Sequence, residues 1–138
     1  MPLTLAMLDG LVTRVGNERF IIPIARVQET IILTPEQTEA AIRDGNRLDY
    51  RGVTVPTYEL GELLEVPIDP TMRRIGVIAE TQIGLACLLV DDVIGRQQVT
   101  QRPLGIDSPN SDRFAGGAVL ADGRVSLILE LDQLLSAT

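Results

Sequence analysis

The chain carries nearly the same segment twice, and that duplication limits what it can fold into more than any other feature. Residues 51–64 read Arg-Gly-Val-Thr-Val-Pro-Thr-Tyr-Glu-Leu-Gly-Glu-Leu-Leu, and residues 122–135 read Asp-Gly-Arg-Val-Ser-Leu-Ile-Leu-Glu-Leu-Asp-Gln-Leu-Leu. Each is a turn at x-Gly, an extended run and then Glu-Leu-x-x-Leu-Leu, with Gly52 matched to Gly123 and Glu59 to Glu130 at an offset of 71. Half of a 138-residue chain is too short to bury a generous core alone, so two small β-units packed together are expected. A paired scaffold without evident chemistry suggests a protein that binds other proteins.

The periodicity is that of strands. Leu11–Val15 and Arg19–Ile24 flank Gly16-Asn17-Glu18, a short-range hairpin signal. Pro23 marks an edge or a bulge, because it cannot donate to a ladder. Val27, Glu29, Ile31 and Leu33 fall on one side of a further strand. Thr34-Pro35-Glu36-Gln37 reads as a helix start, with Thr as N-cap, Pro at the first helical position and Gln at the capping-box position. Extended runs follow over 75–80, 83–90 and 97–104, the second ending at Asp91-Asp92 and Gly95. Residues 105–113 have loop composition, and a hairpin turning at Asp122-Gly123 closes the chain. Short helices are expected where Leu60, Leu63 and Leu64, and Leu131, Leu134 and Leu135, share a face. About ten strands with two such helical turns make an all-β, barrel-like protein. Pro67-Ile68-Asp69-Pro70 is the best internal boundary, dividing a first unit over 11–70 from a second over 71–138, with strands free to exchange between the halves.

Composition removes most catalytic and nucleic-acid functions. The net charge is −7 and every one of the twelve basic residues is Arg, which leaves no dense basic face for phosphates. Phe20, Tyr50, Tyr58 and Phe114 are the whole aromatic set, so no base-stacking platform is visible. No His and no Lys are present, which excludes histidine acid–base chemistry, phosphoryl acceptance on His, Schiff bases and a P-loop lysine. Asp91-Asp92 is the single acidic doublet in a patterned segment and reads as solvated strand-end residues rather than a metal site. Cys87 sits in the apolar run 85–90 as a structural thiol. Neither a secretory signal nor a membrane-spanning stretch is present in the sequence, so a cytoplasmic protein without membrane insertion is expected. No catalytic, cofactor or metal residues are assigned.

Three segments carry a family resemblance. Residues 90–99, followed by Pro103-Leu104, resemble the VD-x-x-x-G-x-x-x-V…PL signature of CheW-like domains. Residues 115–125 resemble their sGA-x-iL-x-dG-x-v segment, and Arg51-Gly52-Val53-Thr54-Val55-Pro56 with Leu60 their RG-x-x-lP…L. Residues 2–11 resemble the join between the kinase domain and the C-terminal CheW-like regulatory domain of CheA, the chemotaxis histidine kinase; on that likeness 1–10 are the end of the kinase domain and its linker. A free-standing CheW-type adaptor is the alternative; a small double-barrel enzyme and a purely structural barrel are more distant rivals.

The resemblance implies a CheW-like fold of two five-stranded SH3-like β-barrels packed together. It implies a regulatory domain, not itself an enzyme, that couples receptor state to kinase activity. Its partners would be the CheW adaptor, chemoreceptor cytoplasmic tips and the kinase domain of the same polypeptide, in the cytoplasm at membrane receptor arrays. No cofactor is implied. Carried over position by position, the partner-binding residues are Val27, Glu29 and Arg51, with Glu29 and Arg51 expected to pair across adjacent strands. Val53, Val55 and Tyr58 are weaker candidates, and Leu104 and Ile106 are the expected second adaptor-facing patch. Apolar barrel ends would also favour weak self-association.

Overall fold

The computed structural model of the chain describes residues 6–69, 72–103 and 113–136. In chain order the elements are β1 (Ala6–Val15), β2 (Glu18–Pro23), a 3-10 turn (Ile24–Arg26), β3 (Val27–Leu33), α1 (Pro35–Arg43), β4 (Arg47–Tyr50), β5 (Val53–Glu59), α2 (Leu60–Leu63), β6 (Arg74–Thr81), β7 (Gly84–Val90), β8 (Asp92–Gln101), β9 (Phe114–Val119), β10 (Val125–Leu129) and α3 (Leu131–Ser136). The helix start at Thr34 forms as its residues dictate. Its side chain accepts from the Gln37 N–H, the Gln37 side chain returns to the Thr34 N–H, and Pro35 occupies the first turn. Pro23 closes β2 opposite Gly10, beyond the two residues of β2 that also pair with β10, so its missing N–H breaks no ladder. Gly95 does not end a strand. It lies within β8 where the register against β1 shifts, Val12 opposing Gly95 and Thr13 opposing Val93, which is a bulge.

The strands form two five-stranded sheets, in the orders β8-β1-β2-β10-β9 and β3-β6-β7-β5-β4; we call them barrels I and II. The boundary expected near residue 70 does not separate them. Each half of the chain gives a hairpin to one barrel and three strands to the other: β1–β2 joins β8, β9 and β10, while β6–β7 joins β3, β4 and β5. The links explain this exchange. Asp91 alone lies between β7 and β8, and one residue cannot reverse a chain, so the strand bends and continues into the other sheet. Between β2 and β3 the link is Ile24-Ala25-Arg26, without the Gly, Asn or Asp of a hairpin turn, and it bends as a 3-10 turn instead.

The two barrels share an unusual feature, a parallel pair inside an otherwise antiparallel sheet: β10 with β2, and β5 with β7. They close differently. Barrel I is sealed where Arg102 and Gly117 exchange two backbone hydrogen bonds of 2.9 Å between β8 and β9. In barrel II β3 and β4 are the two ends of the sheet order, and side chains bridge the seam.

Alternation along the hairpins sorts side chains into three cores. Val12 and Ile21 face the interior of barrel I with Val99, Ala118, Leu120 and Ile128. Ile78, Cys87 and Leu89 face the interior of barrel II with Leu33, Tyr50 and Val55. The intervening residues, including Leu11, Phe20, Ile22, Val77, Leu88 and Val90, meet between the barrels with Leu60, Leu131 and Leu134 from α2 and α3. Both faces of these strands are therefore buried, which is why 75–79 and 85–90 read as unbroken apolar runs. Burial also pushes the Cys87 thiol up to about 12, leaving it an inert packing group.

Candidate docking site

β3 and β4 come together at the open seam of barrel II, and the side chains that bridge it are Glu29, Tyr50 and Arg51. Glu29 is half-buried on β3 and accepts a hydrogen bond from the Tyr50 hydroxyl at the end of β4. Arg51 Nη2 lies 2.8 Å from Glu29 Oε1, and its guanidinium carbon stands 5.3 Å from the centre of the Tyr50 ring. Gln28 Nε2 donates to the same hydroxyl at 3.4 Å. Tyr50 itself is buried in barrel II, so the cluster has a fixed floor and an exposed cation: Arg51 is 71% exposed.

The turn carrying Arg51 sets its direction. Tyr50 opposes Val53, leaving a two-residue loop in which Arg51 has φ 51° and Gly52 φ 80°. Two positive φ values define the hairpin turn whose twist matches the strands, and glycine satisfies the second without strain. Arginine at the first pays a steric cost that Asn or Gly would avoid.

The remaining expected residues divide. Val53 is 55% exposed beside the turn and extends the seam as an apolar neighbour. Val55 is 1% exposed and belongs to the core of barrel II: it shares a face with Val53, but Val53 stands at the turn beyond the barrel end while Val55 lies one step inside; it offers a partner no surface. Tyr58 is half-buried against the core between the barrels and lines a cleft of about 500 Å³ with Ile42, Leu63 and Ile68, away from the seam. Val27 also leaves the Glu29 face: the register against β6 shifts between the two residues, so Val27 packs toward the inter-barrel core while Ile31 and Leu33 face barrel II. Leu104 and Ile106 lie outside the described residues.

One polar cluster escaped the sequence reading. Arg74, 2% exposed, pairs with both Glu59 and Asp91 at the end of barrel II. Asp91 also accepts from the Gly16 N–H in the β1–β2 turn and lies 3.9 Å from Arg14, tying barrel I to this end of barrel II. The doublet residue Asp91 is thus the ion-pair partner of a buried arginine and itself mostly shielded, not a solvated strand end. Glu59 additionally caps α2, its Oε1 accepting from the Gly61 N–H at 3.3 Å. Burial pushes the Glu59 carboxyl above the usual carboxylate range, opposed by the Arg74 guanidinium. Alternation held the signal: residues 55, 57 and 59, residues 74, 76 and 78, and residues 87, 89 and 91 each share the interior face of a strand. Among the described residues no group of three His, Cys, Asp or Glu side chains is arranged to hold a metal ion.

The CheW-like domain family model matches residues 9–138. The chain is 34% identical over 141 residues to the chemotaxis protein CheA of Treponema pallidum, covering 98% of this chain and 17% of that protein. It is 32% identical over 136 residues to CheA of Salmonella typhimurium, covering 97% and 20%, and 28% identical over 134 residues to CheA of Listeria monocytogenes, covering 96% and 22%. The chain therefore spans about a fifth of these relatives. Among solved structures, the scaffolding protein TtCheW of Thermoanaerobacter tengcongensis superposes with a TM-score of 0.72 at 18% identity, over 94% of this chain and 92% of that one, a likeness of fold.

Proposed function

The chain belongs to the CheW-like domain family, and from that premise we propose that it is the regulatory protein-interaction domain of a CheA-type chemotaxis kinase. In this reading it binds the CheW adaptor and chemoreceptor tips, and couples receptor state to a kinase domain elsewhere in the same polypeptide. The domain acts by docking and performs no reaction. It would work in the cytoplasm, recruited to receptor arrays. Among the described residues no helix is long and apolar enough to cross a membrane.

The observation that carries the docking role is the seam of barrel II. There an exposed arginine is held by Glu29 and by the Tyr50 ring, next to exposed Val53. Its ion pair contributes only about 0–1 kcal/mol to stability, so what the pair gains is orientation of a charge above an apolar neighbour. Arg51→Glu is expected to weaken binding to the CheW protein of the same source by about tenfold or more, the cost of misplacing a central interface charge. The melting temperature should hardly move. Calorimetric titration and thermal unfolding check both, and unaltered affinity refutes the assignment of this seam.

A second reading is a free-standing CheW-type adaptor, favoured by the fold match across 92% of TtCheW. Genomic sequence upstream of the region coding for Pro2 separates the two. An in-frame nucleotide-binding kinase domain supports the first reading, and a start site supports the second.

A further inference from the structure

The two points where the chain crosses between barrels are held very differently. At the β7–β8 crossing Asp91 is anchored by Arg74 and by the Gly16 N–H, and its own N–H donates to the Arg14 carbonyl at 2.9 Å. At the β2–β3 crossing none of Ile24, Ala25 and Arg26 is buried, and the preceding Pro23 makes no side-chain cap bond. Its bend is held by one backbone bond, from the Val27 N–H to the Ile24 carbonyl, by Arg26 at 3.3 Å from Asp132, and by the half-buried Ile24 side chain at the edge of the inter-barrel core.

Within the described chain, residues 6–23 join the rest only through this weak crossing. Their contacts are extensive and nearly all non-local. β1 pairs with β8 over nine residues, and β2 pairs with β10. Val12, Val15, Ile21 and Ile22 are fully buried. A second copy of the chain offers the same β8, β10 and core positions to this hairpin. Exchange between copies would keep every one of those contacts and would give up only the bend, with the Ile24 packing and the Arg26–Asp132 pair of the hinge itself.

We infer that the β1–β2 hairpin is an exchangeable element: at high concentration two copies of this chain form a dimer in which each hairpin completes the other's barrel I, with Ile24–Arg26 opened as the hinge. The occupant of the hairpin's site is therefore a second copy. The seam at Glu29 and Arg51 belongs to barrel II and stays intact in both copies, so the dimer presents it twice. This inference stands apart from the docking reading and does not require it.

Asp9 and Gln98 are exposed partners across β1 and β8, which makes them the reporter. Asp9→Cys and Gln98→Cys chains are to be unfolded together, refolded at high concentration and oxidised. The expected product is a species of twice the 15.0 kDa chain mass, joined by a disulfide between the two variants and retaining the far-ultraviolet spectrum of the monomer. The double variant refolded when dilute should close the same disulfide within one chain, showing that the pair is within bonding reach. Deleting Ala25 shortens the hinge and should raise the dimer fraction, and inserting Gly-Gly after Ala25 should lower it. Monomer at every concentration overturns the inference. So does a dimer without the cross-chain disulfide, which would mean that two closed chains dock through their surfaces.

Discussion

The corresponding ends of the two barrels are built on the same backbone plan with opposite chemistry. Matching the registers places Val12 with Ile78, Ile21 with Cys87 and Ile128 with Thr57. On that count Gly10 corresponds to Gly76 and Glu130 to Glu59, while Leu8 stands where barrel II has Arg74 and Ala25 where it has Asp91. One end is stopped by an aliphatic side chain, the other by a guanidinium between two carboxylates. An aliphatic plug tolerates small shifts because dispersion contacts have no direction. A buried ion cluster fixes its partners in angle and distance, and it is costly when any member is missing. Asp91 also takes the Gly16 N–H, and at the other end Asp132 of α3 takes the Gln82 N–H at 2.9 Å, so each end ties one barrel to the hairpin turn of the other, but only at the ionic end through a cluster centred on a buried cation.

The sharpest way to break that difference is to remove one charge. Arg74→Met should cost about 3–5 kcal/mol in urea unfolding, since Glu59 and Asp91 stay largely shielded from water without a cation. Adding Glu59→Gln and Asp91→Asn to it should restore most of the loss. Leu8→Ala, at a half-buried position, should cost only about 1–2 kcal/mol. If Arg74→Met costs no more than Leu8→Ala, the cluster is not the buried network described.

The conserved plan can be tested at the glycines both ends share. A Cβ on Gly10 would stand 2.4 Å from Ile21 Cγ2, and one on Gly76 would stand 2.7 Å from Cys87 Sγ and 3.1 Å from Ile31 Cγ1. Both Gly→Ala substitutions should therefore destabilise by about 1–3 kcal/mol through overpacking. Gly10→Ala should be the worse, because its nearest atom is a branched methyl of a fully buried side chain. Comparing urea midpoints of the two variants checks the order.

Acidity separates the ends as well. The Glu59 carboxyl is raised in the folded chain, so its contribution to stability is fully present below the carboxylate value of the unfolded chain and is lost as pH rises through the folded value. Stability of the wild type relative to Glu59→Gln should accordingly fall as pH rises across that window. Unfolding series from mildly acidic to neutral pH measure it, and a flat or rising difference contradicts the assigned burial.

How much of this was legible in the sequence follows from which interactions are local. The capping box at Thr34 and Gln37, the Arg51-Gly52 turn and the two Leu-rich helical turns depend on near neighbours, and they form where their residues put them. The Glu29–Arg51 pair follows from family likeness, whereas nothing in the sequence singles out Tyr50, which braces it. The hairpin exchange was less visible, because alternation reports which face a residue takes but not whose sheet it joins. Val27 escaped through a one-residue register shift, and Arg74 through its distance in sequence from both of its partners.

The smallest effect bears most directly on function. Arg51 holds a left-handed backbone angle at a position where Asn is better suited, so Arg51→Asn should relieve turn strain while losing the ion pair with Glu29. Relief of a left-handed arginine, about 1 kcal/mol, nearly offsets the loss of the exposed pair and of the Tyr50 ring contact, so stability should change by no more than about half a kcal/mol. If the proposed docking to the CheW adaptor holds, affinity for it should nevertheless fall. A chain of undiminished stability that docks less well would show that the arginine occupies a strained position for the sake of the interface. A variant that loses stability and keeps its affinity would instead make the Glu29–Arg51 pair a brace for the β3–β4 seam, and barrel II would then have no more claim to the docking surface than barrel I.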